Sequence, residues 1–229
     1  MGMTEESRAP LSLDRIVATA IAFIDEHGLP GLTMRRLGEA LGVEAMSLYR
    51  YVPGRENLLD AVVEAITAQL EVDPEVRQEP SDGWEDFLVR LAHGVRRVAL
   101  SHPKVFPLVA SRPLEAPWLR PPLRSLEWVE RFLTGLQQEG FGDDDAVGAY
   151  RAFTSFLLGH LLLEVSTLGA DVGPLDVLEE DQEAGALAEY PTVARLRPSL
   201  SKDHAAIEFE DALDELVNRV ALINSSKAP

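Results

Sequence analysis

The chain has 229 residues, no cysteine, and 38 acidic against 21 basic residues, for a formal net charge of −17. Its length and 46% hydrophobic composition suit one large domain or two smaller ones with a true core, and exclude a disordered chain. The absence of cysteine excludes a disulfide scaffold, a thiol nucleophile, a zinc finger and an iron–sulfur centre.

The first 70 residues predict four helices. Leu13, Ile16, Val17, Ala20, Ile21 and Ile24 form one helical stripe, with Ser12 as N-cap and turn residues from His27 to Gly31 as the stop. Thr33 opens a two-turn helix over residues 34–41, where Leu32 and Leu37 are placed to staple its start. Gly42 ends it, and a third helix is expected over residues 44–51, with Leu48 and Val52 inward. Pro53-Gly54 breaks the chain before a fourth helix that starts near Glu56 and carries Leu58, Leu59, Val62, Val63, Ile66 and Leu70. Residues 71–83 lose the pattern and read as a hinge. Helical periodicity returns over residues 84–99, through Phe87, Leu88, Leu91 and Val95. Six prolines between 103 and 122 predict short helical pieces and turns, followed by helices over 123–139, from Asp143–Asp145 to about 168, and over 204–223. Residues 171–189 carry seven acids and no base and read as an exposed mobile loop. No alternating strand pattern is present. The expected fold class is all-α, an N-terminal helix-turn-helix domain over residues 1–70 and a C-terminal helical domain over 71–229.

The informative unit is residues 33–51, a short helix, a glycine turn and a second short helix. Two helices joined so tightly cross steeply, and the second fits a DNA major groove about 12 Å wide. Residues 33–55 hold Arg35, Arg36, Arg50 and Arg55 against Glu39 and Glu44, a local charge of +2 on a chain whose other segments are acidic. If the chain meets DNA, it does so through this segment alone. Arg50 and Arg55 can neutralise phosphates, Tyr49 and Tyr51 offer hydroxyls and rings, Ser47 can donate, and Ala45 permits close approach. Spacing alone leaves ordinary helix packing open as an alternative.

The stretch LTMRRLGEALGVEAMSLYRYVPGRENLLDAV, residues 32–62, resembles the DNA-binding domain of the TetR family of bacterial repressors. The resemblance rests on Thr33, Leu41-Gly42-Val43, Leu48-Tyr49, Tyr51-Val52, Arg55 and Leu58-Leu59. It implies that Thr33 and Arg35 anchor to backbone phosphate. Ala45, Met46, Ser47 and Arg50 face bases or flanking phosphates, and Tyr49, Tyr51 and Arg55 clamp phosphates. Met46 departs from the small residues or proline common at its place, and its bulk suits a thymine methyl. The remainder resembles the tetracycline-repressor type of C-terminal domain, through Leu100-Ser101-His102-Pro103, Ser111-Arg112-Pro113 and the late run Ile207 to Leu213. That resemblance implies a homodimer formed by helices near 146–168 and 204–223, and a duplex operator with palindromic symmetry. A histidine that helps hold magnesium in tetracycline-binding relatives is replaced here by Leu108, so magnesium–tetracycline is not the expected ligand. No metal or other cofactor is expected.

Phe106, Leu108, Trp118, Trp128, Phe132, Phe153, Phe156 and His160 are candidates for an apolar effector pocket, with core packing as the alternative for each. Ligand would shift the fourth helix, which joins pocket to reading segment, and release DNA. Repression is the expected output, with activation by the same fold as a variant. A helical small-molecule binder that lacks operator function is the competing class. No nucleophile elbow, phosphate loop, zincin motif or dinucleotide glycine pattern is present, so an enzyme is not expected. The opening MGMTEESRAP has no apolar run, and residues 152–163 fall short of the roughly 20 needed to span a bilayer, so a cytoplasmic protein is expected, with no membrane partner.

Overall fold

The computed structural model describes residues 10–77, 80, 82–111, 126–172 and 189–225. These residues form eleven α-helices and one short 3-10 turn, with no strand among them. The first four helices are α1 (Leu13–His27), α2 (Met34–Leu41), α3 (Ala45–Leu48) and α4 (Arg55–Val72), with the 3-10 turn Leu29–Gly31 between α1 and α2. Ser12 caps α1 by accepting from the Arg15 backbone N–H at 3.2 Å, and Thr33 caps α2 by accepting from that of Arg36 at 3.2 Å. Ile16, Ala20 and Ile24 of α1 meet Leu37 and Leu41 of α2, Leu48 of α3, and Leu58, Val62 and Ile66 of α4 in one buried core. Leu32 and Leu37 are both buried in it, as the staple requires.

The rest comprises α5 (Pro74–Arg77), α6 (Trp84–Ser101), α7 (Phe106–Ser111), α8 (Leu126–Gln138), α9 (Asp143–Thr167), α10 (Pro191–Leu200) and α11 (Ala205–Ser225). Their core joins Leu88 and Leu91 of α6, Phe132 and Leu136 of α8, Phe153 and Leu161 of α9, and Phe209 and Leu213 of α11. Leu70, near the end of α4, packs on both cores. The first core also takes in Val98, Val105 and Leu108, from α6, α7 and the turn between them. By length and composition α9 is apolar enough to cross a membrane, yet it packs on α6, α7, α8 and α11 as the central helix.

Several sequence expectations need correction. The third helix is four residues of α-helix followed by a turn, not residues 44–51; the Tyr51 and Val52 N–H groups both return to the Leu48 carbonyl at 2.9 Å. The hinge over 71–83 contains α5. Asp143–Asp145, which the sequence offers as caps for this helix, do not cap α9: Gly142 is the N-cap, without a side-chain bond, and the three acids sit in the first turn, where they interact favourably with the positive end of the helix dipole. Helix α10 is an addition to the expected elements; it contains Pro198, and Val193, Leu196 and Leu200 lie along one of its faces, exposed. The expected loop over 171–189 falls largely outside the described residues.

Candidate nucleic-acid interface and its link to the helical body

The reading segment is set by two glycines. Gly42 takes φ 71° and ψ 30°, the left-handed conformation that lets α2 stop and the chain double back. Gly38 lies mid-helix, where a glycine costs roughly 1 kcal/mol relative to alanine. Its reason is contact: a Cβ there would lie 2.8 Å from the Val43 carbonyl oxygen and 3.2 Å from the Ala45 nitrogen. The Val43 N–H donates to the Gly38 carbonyl at 2.9 Å, closing the same junction. Helix α3 therefore rests directly on the backbone of α2.

Leu48 and Val52 anchor α3 and the following turn in the core, which turns the intervening side chains outward. Met46 is 75% exposed, the most exposed large apolar residue among those described in this half, and Tyr49 and Tyr51 are 42% and 43% exposed. Arg50 is exposed beside them, while Ala45 and Ser47 are half-buried. Thr33 is exposed; its hydroxyl oxygen is engaged in the cap, so its O–H is the atom able to donate outward. Arg35 is exposed and reaches Glu39 at 3.6 Å.

Arg55 has a task that sequence reading missed. Its Nε donates to the Leu32 carbonyl at 3.3 Å and a terminal nitrogen donates to the Leu29 carbonyl at 3.4 Å. It also lies 3.7 Å from Glu56. Arg55 thus ties the start of α4 to the loop before α2 and keeps other N–H groups for an anion. Arg36, though exposed, is tied back in the same region, donating to the Gly31 carbonyl at 3.0 Å with its guanidinium 4.8 Å from the Phe23 ring centroid. An arginine three residues after a cap, beside a glycine loop, is the signal that could have indicated this.

Between the two halves lies a polar junction built from three helices. The Gln69 amide nitrogen is a donor, so His102 Nε2 accepts from it at 3.3 Å, and His102 Nδ1 carries the proton donated to Asp25 at 2.7 Å. Lys104 Nζ donates to the Glu26 carbonyl at 3.0 Å nearby. His102 is therefore a satisfied turn histidine.

The proposed pocket residues do not surround one cavity. Leu108 is buried in the N-terminal core, under α4, because α7 turns back toward that helix. Phe106, Phe132 and Phe153 are buried in the C-terminal core, with Phe132 5.4 Å from Phe153 between ring centroids. Phe156 and His160 instead stack around Phe209, at 6.0 and 5.3 Å. Trp118 lies outside the described residues. Trp128 and Phe132 of the set line a narrow cleft, together with Val76, Phe87, Leu91 and Arg131, with room for about 10 Å³. Across the same core Arg96 grips Glu164 with two hydrogen bonds, at 2.5 and 3.0 Å, and its guanidinium lies 5.0 Å from the Phe209 centroid. Hydrogen bonding to Glu164 holds the Arg96 guanidinium charged, raised above its already high value. Tyr150 is pushed up to about 12 by burial, against the smaller opposing effect of its bond to Thr154. Among the described residues no cluster of acids and histidines could hold a metal ion.

A helix pair with a glycine turn, presented on an acidic helical body, defines a helix-turn-helix transcriptional regulator. Residues 16–62 match the model for bacterial regulatory proteins of the tetR family, and residues 76–219 match that for the tetracyclin repressor-like C-terminal domain. The chain is 32% identical to the HTH-type transcriptional repressor DrrR1 of Streptomyces coeruleorubidus, over 97% of this chain and 84% of that protein. It is 28% identical to the class A tetracycline repressor from Escherichia coli, over 92% and 91% of the two. A solved structure of a possible TetR family regulator from Streptomyces coelicolor A3(2) superposes with a TM-score of 0.71 at 30% identity, covering 93% of this chain and all of that one. The protein belongs to the TetR family. It is a DNA-binding regulator and not an enzyme, of a family whose members dimerise and answer to small-molecule effectors.

Proposed function

We propose that the chain works in the cytoplasm as a homodimer that represses transcription from a palindromic operator and lets go when an apolar effector binds its C-terminal domain. Residues 1–70 are the DNA-binding domain and 71–229 the regulatory and dimerisation domain. The observation that carries this reading is the exposed face at α3, where Met46, Tyr49, Arg50 and Tyr51 project together from a locally cationic segment. In this reading Ala45, Met46, Ser47 and Arg50 meet base edges and adjoining phosphates. Thr33, Arg35, Tyr49 and Tyr51 hold the backbone, and Arg55 adds a phosphate contact to its structural one. Dimerisation through residues 146–168 and 204–223 is supported by apolar surface on α9 and α11: Leu163 is 72% and Leu222 70% exposed. Two reading helices about 34 Å apart then face successive major grooves. An effector is supported by the match of residues 76–219 to the tetracyclin repressor-like C-terminal domain; the cleft at Trp128 and Phe132, with room for about 10 Å³, must open to take one, since ligand sites run from about 300 Å³. The related ActR of Streptomyces coelicolor, 25% identical with a TM-score of 0.64, was solved in complex with (S)-DNPA.

The test is selection of bound duplexes from a random-sequence library, then anisotropy titration at two salt concentrations. A palindromic consensus and affinity that falls steeply with salt are expected. Failure to enrich any sequence, or a monomer by light scattering, overturns the reading.

A further inference from the structure

The chain passes from reading head to regulatory body through the turn between α4 and α5, and that turn is clipped to α6 at two points. Asp73, the C-cap of α4, receives a hydrogen bond from Arg97 at 2.7 Å. Three residues further on, Val76 is buried against Gly94, which lies three residues before Arg97 on α6. The two pairs share one register, so the short helix α5 lies along α6 with a fixed offset. The seat at Gly94 depends on the missing side chain. A Cβ built there would overlap the Val76 Cγ2 methyl, while the Val76 Cβ would sit at an ordinary 3.7 Å. Valine is stiff about χ1, so an added methyl at 94 is relieved mainly by moving α5.

Val76 also forms one wall of the cleft at Trp128 and Phe132. Upstream, α4 runs from this turn past Leu70, which touches both cores, to Leu58 and Leu59 beneath the reading segment. We propose that Val76, seated on Gly94, is a positioning residue for DNA binding: it fixes the far end of α4 to the regulatory core. A group that outgrows the cleft must unseat it. The inference rests on the reading of the chain as an operator-binding regulator and supplies the contact through which the body holds the head.

The experiment uses full-length protein and a duplex selected by the wild type. Operator affinity is measured at a temperature where circular dichroism and light scattering show every variant folded and dimeric. Gly94→Ala is expected to weaken operator binding at least about tenfold, within the range usual for coupling between sites. Val76→Ala, which removes the plug, also weakens it. Combining Val76→Ala with Gly94→Ala rebuilds a 3.7 Å contact between the two Cβ atoms and returns affinity above that of either single variant. Arg97→Ala, a change at the surface, weakens binding severalfold with no loss of fold, and keeps the test open if Gly94→Ala does not fold. Wild-type affinity in Gly94→Ala, or in both Val76→Ala and Arg97→Ala, overturns the proposal. So does a double variant no better than the worse single. If the wild-type protein selects no duplex at all, the functional reading has failed instead.

Discussion

Replacing Gly38 with alanine tests whether the α2–α3 contact sets the reading geometry. The new Cβ would meet the Val43 oxygen at 2.8 Å, the Ala45 nitrogen at 3.2 Å and the Ala45 Cα at 3.3 Å. All three are backbone atoms, so no rotamer change relieves them. Reaching an ordinary separation of about 3.5 Å moves α3 outward by roughly 0.7 Å. Overpacking of this kind costs about 1–3 kcal/mol. Alanine's better helix propensity offsets roughly 1 kcal/mol of that. The net loss is up to about 2 kcal/mol, which lowers the melting temperature of a chain this size by up to roughly 8 °C. The operator effect is larger than the stability effect, because displaced side chains lose base-edge bonds worth about 1–3 kcal/mol for each good pair. Affinity for a selected duplex is expected to fall at least about tenfold, read by anisotropy on folded dimer. A Gly38→Ala protein with unchanged melting temperature and unchanged affinity shows the reasoning to be wrong.

Arg55→Ala releases the Leu29 and Leu32 carbonyls from their tie; about 1–2 kcal/mol of stability goes with it, read by urea unfolding, alongside weaker operator binding. A variant that loses DNA affinity at full stability shows that Arg55 serves only DNA. Arg96→Ala strands the buried Glu164 carboxylate and costs about 3–5 kcal/mol, whereas Arg96→Met with Glu164→Leu recovers most of it; equal loss in both refutes the ion-pair account. Tyr150 stays neutral in the folded chain up to about 12, while an unfolded tyrosine ionises near 10. Its raised value therefore contributes stability that is intact below about pH 10 and disappears between about 10 and 12, on the order of 2–3 kcal/mol. Urea midpoints across that range should fall more steeply for wild type than for Tyr150→Phe, and parallel curves count against the assignment.

The reading segment was legible because its signals are local. Ser12, Thr33 and Gly42 act within one helical turn of themselves, and the structure places each cap where the sequence does. The apolar stripes of α1 and α4 likewise needed no partner to be recognised. Contacts made across the fold were not legible. Gly38 and Gly94 are explained only by what approaches them, Val43 in one case and Val76 in the other. Leu108 looked like pocket lining on composition alone, and only the direction of α7 shows that it lies beneath α4. Arg55 reads from sequence as a phosphate clamp, but its hydrogen bonds to the Leu29 and Leu32 carbonyls, more than twenty residues away, show that it also braces the fold. The length of α3 escaped because Leu48 and Val52 fit a helix and a tightening turn equally well.

The proposed border at residue 70 divides tasks but not packing. Val98, Val105 and Leu108 are as much a part of the reading head's interior as Ile24 or Val62. Grafting this head onto the body of a relative would therefore leave a hole unless those three side chains travel with it. An excised N-terminal fragment would lack its own floor. Evolution of new operator preferences on this scaffold is free to vary the outward face of α3, while any exchange of whole heads must carry a piece of the body along.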